Sequence, residues 1–315
     1  MAGRRVFVAG HRGMVGAAVL RRLASEGCET VTAGRDAVDL RRQAETEAWM
    51  AQARPDVVVM AAATVGGILA NDSRPVDFLY DNLMIEANVI AAAHRVGVAK
   101  FLFLGSSCIY PRLAPQPMAE DALLTGPLEP TNQWYAVAKI AGIKLAQAYR
   151  RQHAMDAISA MPTNLYGPGD NFDLAASHVL PALLRKVHDA KTRGDDAVVL
   201  WGSGSPRREF LYVDDLADAL VFLLKHYSSP EIVNVGTGED LTILELARMV
   251  ADVVGYGGRF ELDRTKPDGT PRKLLDVGRL ADLGWRAPTP LRDGLERTYR
   301  WFLDNAGRLR DGAPA

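Results

Sequence analysis

Short apolar runs alternate with amphipathic stretches through the first half of the chain. Five runs have the length and the apolar or β-branched character of buried strands: Val6–Ala9, Thr30–Ala33, Val57–Met60, Phe101–Leu104 and Ala157–Ala160. The stretches between them space their apolar residues as helices do: Met14–Ser25, Arg41–Ala53, Val76–Arg95 and Gln133–Gln152. Strands that alternate with helices indicate βαβ units, and right-handed crossovers then give a doubly wound parallel sheet of the Rossmann type.

The pattern changes after about residue 163. Tyr166–Phe172 is rich in Gly, Pro and Asn, and it is followed by a predicted helix over Val179–Lys191 and a predicted strand over Val198–Trp201. We therefore predict an α/β protein with two parts. Residues 1–165 form the Rossmann domain, with a return near 205–235, and residues 166–315 form mainly a smaller substrate-binding α/β region.

Composition narrows the class of protein. The 315 residues are 48% hydrophobic and 24% charged, with a formal net charge of -1, which is typical of a globular domain and predicts no nucleic-acid partner. The two cysteines, Cys28 and Cys108, disfavour a secreted disulfide scaffold. Neither an apolar leader nor a run of about 18 apolar residues is present, so we expect a cytoplasmic protein without a membrane partner.

A glycine-rich turn follows the first predicted strand and opens the first predicted helix. It consists of Gly10, His11, Arg12, Gly13, Met14, Val15 and Gly16. Glycine permits a tight turn and a close approach of backbone to a diphosphate, and the helix N-terminus offers free N–H groups to that anion. A plain strand-to-helix turn is the alternative, but this position favours dinucleotide binding.

The end of the second strand decides which dinucleotide is expected. Arg35 follows Gly34 there, and arginine favours a ribose 2′-phosphate, whereas an acidic residue favours a free 2′-hydroxyl. Arg12 in the glycine turn is a second cation, while Asp36 argues in the other direction. We therefore predict NADP (NADPH) as the cofactor, and we predict no metal.

A Ser–Tyr–Lys set points to carbonyl reduction. Tyr135 and Lys139 lie four residues apart, on one face of a helix, and Ser106 follows the fourth strand, where ligands of doubly wound sheets bind. A nearby ammonium lowers the pKa of a tyrosine, whose ordinary value is near 10. Tyr135 can then give a proton to a carbonyl oxygen as hydride arrives at its carbon.

Five stretches give the chain a close resemblance to the GDP-L-fucose synthases, a family of extended short-chain dehydrogenases/reductases. They are Gly10–Gly16 (GHRGMVG), Leu104–Pro111 (LGSSCIYP), Pro162–Gly167 (PTNLYG), Trp201–Gly204 (WGSG) and Lys266–Asp276 (KPDGTPRKLLD). The resemblance implies conversion of GDP-4-keto-6-deoxy-D-mannose to GDP-L-fucose, by epimerisation at carbons 3 and 5 and reduction at carbon 4. It also implies a homodimer through helices that include Gln133–Gln152.

Epimerisation needs proton-transfer groups on opposite faces of the sugar. Cys108 lies two residues beyond Ser106, and His178 begins a predicted helix and titrates near neutrality. The resemblance assigns both residues to epimerisation, and we predict Cys108 as base and His178 as acid. On the residues alone, a buried apolar cysteine and a helix-capping histidine remain alternatives.

The resemblance also extends to binding residues. Besides the glycine turn, Arg35, Tyr135 and Lys139, it implies cofactor contacts from Asp39, Leu40, Leu104, Gly105, Ser106, Ser107, Pro162, Thr163, Asn164, Leu165 and His178. For the GDP-sugar, it implies contacts from Lys186, Trp201, Arg208 and Asp268. Solvated basic positions remain the alternative for Lys186 and Arg208.

Three other activities are compatible with parts of this pattern. A 4,6-dehydratase needs an acidic group beside the strand-end serine, where this chain has Ser107 and Cys108. A UDP-hexose 4-epimerase would retain NAD, and an NADP sensor would not need the proton donor Tyr135. Gln133 and Trp134 depart from the acidic residue and proline that the family more often has there, so the approach to Tyr135 is expected to differ.

Overall fold

The computed structural model describes residues 1–174, 176–266 and 268–308, so Pro267 of the KPDGTPRKLLD stretch lies outside the described residues. The strands are β1 (Arg5–Ala9), β2 (Glu29–Val31), β3 (Val57–Met60), β4 (Lys100–Leu104), β5 (Ala157–Pro162), β6 (Asn164–Tyr166), β7 (Ala197–Trp201), β8 (Arg207–Arg208), β9 (Phe210–Tyr212), β10 (Val233–Val235), β11 (Leu241–Thr242), β12 (Arg259–Asp263) and β13 (Arg272–Lys273). The helices are α1 (Met14–Leu23), α2 (Gln43–Ala53), α3 (Ile68–Ser73), α4 (Asn82–Arg95), α5 (Gln133–His153), α6 (Val179–Arg193), α7 (Val213–His226), α8 (Ile243–Val254), α9 (Gly278–Asp282) and α10 (Leu291–Asn305).

A parallel sheet with strand order β10-β5-β4-β3-β1-β2 forms the centre of the molecule. This confirms the predicted α/β fold with a doubly wound sheet. All four residues of β3 are buried, as expected for a strand covered by helices on both faces. The strand order reverses between β1 and β3, and in such sheets the binding crevice lies at that switch point.

Alternate residues of each strand enter different hydrophobic clusters. Val6 and Val8 of β1 pack with residues of α1 and α7, whereas Phe7 and Ala9 pack with residues of α2, α4 and α5. This follows from the two-residue period of a strand, which sends neighbouring side chains to opposite faces. Burial of both faces holds the carboxyl ends of β1, β3, β4 and β5 in a fixed relation at one edge.

A third hydrophobic cluster belongs to the second half of the chain. It joins α6, α8 and α10 through residues such as Leu184, Val187, Leu246 and Phe302. Around it lie the pair β12-β7, the pair β6-β9 and the three-stranded sheet β11-β8-β13. The predicted smaller α/β region therefore has its own core, while β10 joins the central sheet and α7 packs on α1.

The segment before α4 departs from the predicted helix over Val76–Arg95. Asp77–Asp81 forms a π-helical turn, and the α-helix begins at Asn82. The Asn82 side-chain amide donates to the Phe78 carbonyl at 2.7 Å and to the Thr64 carbonyl at 3.0 Å. In a regular α-helix the Phe78 carbonyl would accept a hydrogen bond from the backbone N–H of Asn82. Here it accepts one from the Asn82 side chain.

Other predicted elements occur with small shifts at their ends. The second strand spans Glu29–Val31 instead of Thr30–Ala33, and the helix after the glycine turn ends at Leu23 instead of Ser25. Within the described ranges, no helix combines the length and the apolar character that crossing a membrane requires.

Candidate active site

The glycine turn at the end of β1 leaves room for an anion. Gly10 has φ +81°, and a Cβ there would lie 2.7 Å from the Cα of Ala62. A Cβ on Gly16 would collide with the Gly10 carbonyl, so helix and turn touch through backbone alone. The α1 N-terminus has neither a capping side chain nor an acidic residue in its first turn. This cradle fits the diphosphate of a dinucleotide.

Arg12, Arg35 and Asp36 form a charged group beside this turn. Arg12 Nη2 lies 3.2 Å from Asp36 Oδ1, with both side chains largely exposed. Asp36, which on sequence argued against a 2′-phosphate, is therefore paired with an arginine. The three residues together carry a net positive charge, which suits a phosphate on the adenosine ribose.

Asp39 and Leu40 form a fixed corner next to α2. The Arg41 side chain donates to both Asp39 oxygens and lowers the pKa of this carboxyl to about 2. The Leu40 carbonyl accepts a hydrogen bond from the Asn88 side chain at 3.0 Å. His11, Met14 and Val15 are only partly buried, so the turn keeps accessible surface.

The end of β4 positions the next group of predicted residues, Leu104, Gly105, Ser106, Ser107 and Cys108. Gly105 donates its N–H to Ala160 of β5 at 2.9 Å, and a Cβ at Gly105 would collide with the Met161 side chain. Ser106 Oγ accepts a hydrogen bond from the Cys108 N–H at 3.3 Å. This bond starts a 3₁₀ turn over Ser107–Ile109 and buries Cys108, which is 8% exposed.

Tyr135 and Lys139 lie one turn apart on α5. Lys139 Nζ lies 5.6 Å from the centroid of the Tyr135 ring. The expected lowering of the Tyr135 pKa does not occur: burial, then the charges of Cys108 and Glu86, raise it well above 10.0. The ammonium is engaged by Glu86 at 3.0 Å, which reduces its effect on the phenol. Tyr135 therefore keeps its proton at neutral pH and can act as a donor.

Two lysines act on Cys108. Burial raises the pKa of the thiol above its usual 9.0, while the Ser106 hydrogen bond and the charges of Lys273 and Lys139 oppose this rise. Burial likewise lowers the pKa of Lys273, and Cys108 opposes that change. Lys273 lies within a predicted stretch but was not among the predicted site residues, and its positive charge favours the thiolate form of Cys108.

His178 forms the N-cap of α6 and is solvent-accessible, yet the surrounding protein lowers the pKa of its imidazole below 6.5. A side chain that solvent can reach but that is also partly desolvated by many nearby protein atoms is typical of a residue that lines a cleft. The pKa directions favour a protonated thiol and a neutral imidazole at neutral pH. They run against the predicted assignment of Cys108 as base and His178 as acid.

Contacts between separate segments connect His178 with Tyr135. The Phe78 ring lies edge-on to the Tyr135 ring, with 6.5 Å between centroids, and it also approaches Gly66. The next residue, Gly67, donates its N–H to the Ala176 carbonyl at 3.0 Å, two residues before His178. The loop after β3 therefore joins the start of α6 to the start of α5.

The four predicted substrate residues lie along one continuous path. Lys186 Nζ lies 5.2 Å from the Trp201 ring centroid, and Trp201 is followed by a turn held by Asp268. Asp268 accepts hydrogen bonds from Ser203 N–H at 2.8 Å and Ser203 Oγ at 2.7 Å. A Cβ on Gly269 would lie 3.0 Å from Arg208 Nη2, which links this turn to Arg208. The Asp268 carboxylate is thus bound to Ser203, and it stabilises the turn after Trp201.

Pairing of β8 with β13 links this path to the catalytic residues. Arg208 and Lys273 are register partners in two parallel strands, and Lys273 acts on Cys108. The strand pairing therefore connects Arg208, a predicted substrate residue, with Lys273, whose charge acts on the predicted catalytic residue Cys108. A cavity of about 550 Å³ lined by residues such as Met1, Lys100 and Tyr227 contains none of them.

The four predicted cofactor residues after β4 and its turn lie where β5 passes into β6: Pro162 ends β5, Thr163 links the strands, and Asn164 and Leu165 begin β6. Thr163 donates its N–H to the Val235 carbonyl at 3.0 Å, and the Asn164 side chain donates to the Glu209 carbonyl at 2.8 Å. The Glu209 carboxylate itself is completely buried. It accepts backbone N–H groups of Thr237 at 2.7 Å, Gly238 at 2.8 Å and Leu275 at 3.0 Å.

Gln133 and Trp134, which depart from the family pattern, form the first turn of α5. The Gln133 side chain donates to the Pro130 carbonyl at 3.2 Å, and Trp134 is 39% exposed. The helix therefore begins without a proline, and Tyr135 keeps its place one turn before Lys139.

The sequence is similar to those of known nucleotide-sugar enzymes over nearly its whole length. The profile of the NAD dependent epimerase/dehydratase family covers residues 6–236. A GDP-L-fucose synthase from Sinorhizobium fredii is 59% identical over 303 residues, which is 96% of each chain. A GDP-L-fucose synthase from Escherichia coli is 54% identical over 320 residues, covering 98% of this chain and 100% of that one.

The fold is also found in a solved structure. A GDP-L-fucose synthetase from Naegleria fowleri bound to NADP superimposes with a TM-score of 0.90 at 29% identity. The match covers 99% of this chain and 97% of that chain.

Proposed function

The chain belongs to the NAD dependent epimerase/dehydratase family, and on that premise we propose that it converts GDP-4-keto-6-deoxy-D-mannose to GDP-L-fucose with NADPH. The observation that carries this proposal is the placement of Cys108 beside Ser106, Tyr135 and Lys139. One surface then holds groups for proton transfer at carbon and groups for reduction of a carbonyl. Identity of 54% and 59% to full-length GDP-L-fucose synthases supports the same reaction.

We propose that the glycine turn holds the cofactor diphosphate, that Arg12 and Arg35 hold its 2′-phosphate, and that Lys139 holds the nicotinamide ribose. NADPH, when bound, supplies the hydride for carbon 4. Ser106 orients the keto oxygen, and Tyr135 gives it a proton. The high pKa of Tyr135 suits this role, because a donor must carry its proton at neutral pH.

Epimerisation precedes this reduction. Carbons 3 and 5 flank the ketone, so loss of a proton at either carbon gives an enolate that Ser106 and Tyr135 stabilise by hydrogen bonding. Cys108 and His178 remove and return these protons on opposite faces of the ring. Lys186, Trp201 and Arg208 bind the GDP portion, and Asp268 keeps the turn after Trp201 in place.

The assay for this function follows NADPH oxidation with GDP-4-keto-6-deoxy-D-mannose. Parallel reactions contain NADH, or a UDP-4-keto sugar in place of the GDP-sugar. We expect turnover with the GDP-sugar and a preference for NADPH. Failure to oxidise NADPH with any keto sugar, with NAD retained on the purified protein, would instead support a UDP-hexose 4-epimerase.

Replacement of Cys108 by serine tests the epimerisation step. A serine hydroxyl is a much weaker acid than a thiol, so we expect exchange of sugar protons with deuterated solvent to fall by about 10²-fold or more. Binding of NADPH, measured by its fluorescence, should not change. Cys28→Ser is the matched control, because Cys28 lies outside the site and its thiol donates a hydrogen bond to the Leu23 carbonyl at 3.7 Å. Normal exchange in Cys108→Ser would remove Cys108 from the mechanism.

The pH dependence of this exchange should show a broad plateau. Burial lowers the pKa of His178 from 6.5 and raises that of Cys108 from 9.0. Exchange requires one of the two groups to be protonated and the other not. Exchange should therefore be maximal at least from pH 6.5 to pH 9.0, and it should be lost only at a lower pH, where both groups are protonated, or at a higher pH, where both are deprotonated. Either assignment of acid and base gives this profile. The pair carries one proton whether that proton is on Cys108 or on His178, so the two arrangements have the same pH dependence. A plateau narrower than this interval would contradict the assignment of the pair.

We also propose that the protein is a cytoplasmic homodimer that uses the outer face of α5. Val137 of α5 is 43% exposed, and Tyr80, in the turn before the neighbouring α4, is 58% exposed. Exposed apolar side chains on α5 and on the turn before α4 suit burial against a second copy.

A further inference from the structure

A buried ion pair joins the two helices behind the candidate active site. Glu86 of α4 approaches Lys139 of α5, with 3.0 Å between Oε1 and Nζ. The side chains are 2% and 3% exposed, respectively. Apart from this ammonium, neither carboxylate oxygen has a hydrogen-bond partner within the described residues. Both charges are thus removed from water and depend on each other.

The surrounding residues leave space for this pair. Lys139 Nζ lies 4.9 Å from the centroid of the Phe103 ring, which covers one side of the ammonium. A Cβ on Gly142 would lie 2.6 Å from Glu86 Oε2 and would collide with the Phe103 ring. Gly142 is one turn beyond Lys139 on α5, so the absence of a side chain there lets Glu86 reach the lysine.

Packing of α4 against α5 does not require these charges. Val89, Ile90 and Ile143 already bury an apolar surface between the helices and the sheet. Transfer of two charges from water costs several kcal/mol per ion, and apolar residues of similar volume often stabilise a core equally well. The pair therefore lowers the stability of the fold relative to an apolar core. Its location beside Tyr135 indicates that it is kept for a role in the active site.

We propose that Glu86 is a positioning residue for the reduction, which holds the Lys139 ammonium beside Tyr135 at the nicotinamide end of the cofactor site. This inference rests on the proposed function, because it assigns Lys139 to the reduction. Glu86 supplies the negative charge that a buried ammonium requires, and it fixes the direction of a long, flexible side chain. It acts through Lys139 and takes no proton from the substrate.

Glu86→Gln tests the proposal, because glutamine keeps the shape and removes the charge. We expect kcat for NADPH oxidation to fall about 10- to 100-fold, as for a displaced catalytic group. KM for the GDP-sugar should change by less than about twofold, since transition-state positioning is lost and ground-state binding is not. Glu86→Asp keeps the charge on a shorter side chain, so its kcat should lie above that of Glu86→Gln.

A double-mutant cycle with Lys139→Met separates positioning from general destabilisation. If Glu86 acts through Lys139, adding Glu86→Gln to Lys139→Met should change kcat by less than about twofold. Independent effects that multiply in the double variant would overturn the proposal, as would a Glu86→Gln variant with normal kcat. If Glu86→Gln does not fold, the comparison of Lys139→Met with the double variant decides the question.

Asp156→Asn is the matched control for loss of a charge pair. It breaks the contact of Asp156 with Lys100, 2.8 Å apart at the amino ends of β4 and β5. We expect a lower melting temperature with unchanged kcat. If the unmodified enzyme does not oxidise NADPH with the GDP-sugar, the proposed function fails. If it does and Glu86→Gln retains full kcat, only the role of Glu86 fails.

Discussion

Tyr135→Phe should lower the rate of NADPH oxidation by about 10²- to 10⁴-fold, the usual contribution of a positioned general acid. The substitution removes the hydroxyl that gives the proton and keeps the ring that packs against Phe78. Burial and the neighbouring charges raise the pKa of this hydroxyl, so the native enzyme carries a protonated phenol at neutral pH. The substitution removes that proton donor. The measurement is single-turnover oxidation of NADPH with the GDP-sugar.

Solvent exchange of the sugar protons is the internal control in the same variant. Cys108, His178 and Ser106 are unchanged, whereas one of the two hydrogen bonds to the enolate oxygen is lost, so exchange at carbons 3 and 5 should fall by much less than reduction does. Tyr256→Phe is the matched control: Tyr256 donates to the Asp195 carbonyl at 2.9 Å, far along the chain from the site. It should lose about 1 kcal/mol of stability and no activity. Full reduction by Tyr135→Phe would exclude it as the proton donor.

Glu209→Ala is expected to cause the largest loss of stability, about 3–5 kcal/mol, because it leaves buried donors without an acceptor. The carboxylate accepts backbone N–H groups from Thr237, Gly238 and Leu275, and the residue is completely buried. For a chain of this size, this corresponds to a fall in Tm of roughly 5–8 °C. Calorimetry or urea unfolding would measure it.

An exposed glutamate provides the comparison. Glu231 is 67% exposed and lies 4.0 Å from Arg279, so Glu231→Ala should change the free energy of unfolding by less than about 0.5 kcal/mol. Equal effects of the two substitutions would show that the three backbone hydrogen bonds contribute little to stability.

The first half of the fold was accessible from sequence because its signals are local. The runs Val6–Ala9, Val57–Met60 and Phe101–Leu104, which became β1, β3 and most of β4, are apolar throughout, as expected for strands buried on both faces, and an α-helix precedes the next strand in each case. The glycine turn and the Tyr135–Lys139 pair could be recognised for the same reason, because each motif lies within one short continuous stretch of the chain. The predicted reaction and cofactor are confirmed by the comparisons.

The second half was described less fully, although α8 had a readable signal. Thr242 and Glu245 form a capping box at its start, and Gly255 ends it in a left-handed conformation. The short strands β8, β11 and β13 have only two residues each, which is too little for a periodic pattern. Their pairing depends on chain segments that are distant in sequence.

Long-range contacts also explain which site residues were missed. Glu86 lies in the middle of a helix and resembles any charged helical residue until α5 packs against it. The charge of Lys273 acts on Cys108 from β13, a strand placed by its pairing with β8, and Glu209 gains its three donors from two separate segments. The spacing of residues along the chain predicts none of these long-range interactions.

The position of β10 at one edge of the central sheet affects the order in which the protein can fold during synthesis. Before Val233–Val235 emerges from the ribosome, the edge of β5 has no partner strand, and the apolar face that α7 later covers on α1 faces water. Closure of the central sheet must therefore wait until the chain has been synthesised through Val235. A fragment that ends near residue 165 should be retained by chaperones or aggregate, whereas a fragment that includes α7 and β10 contains all the strands of this sheet.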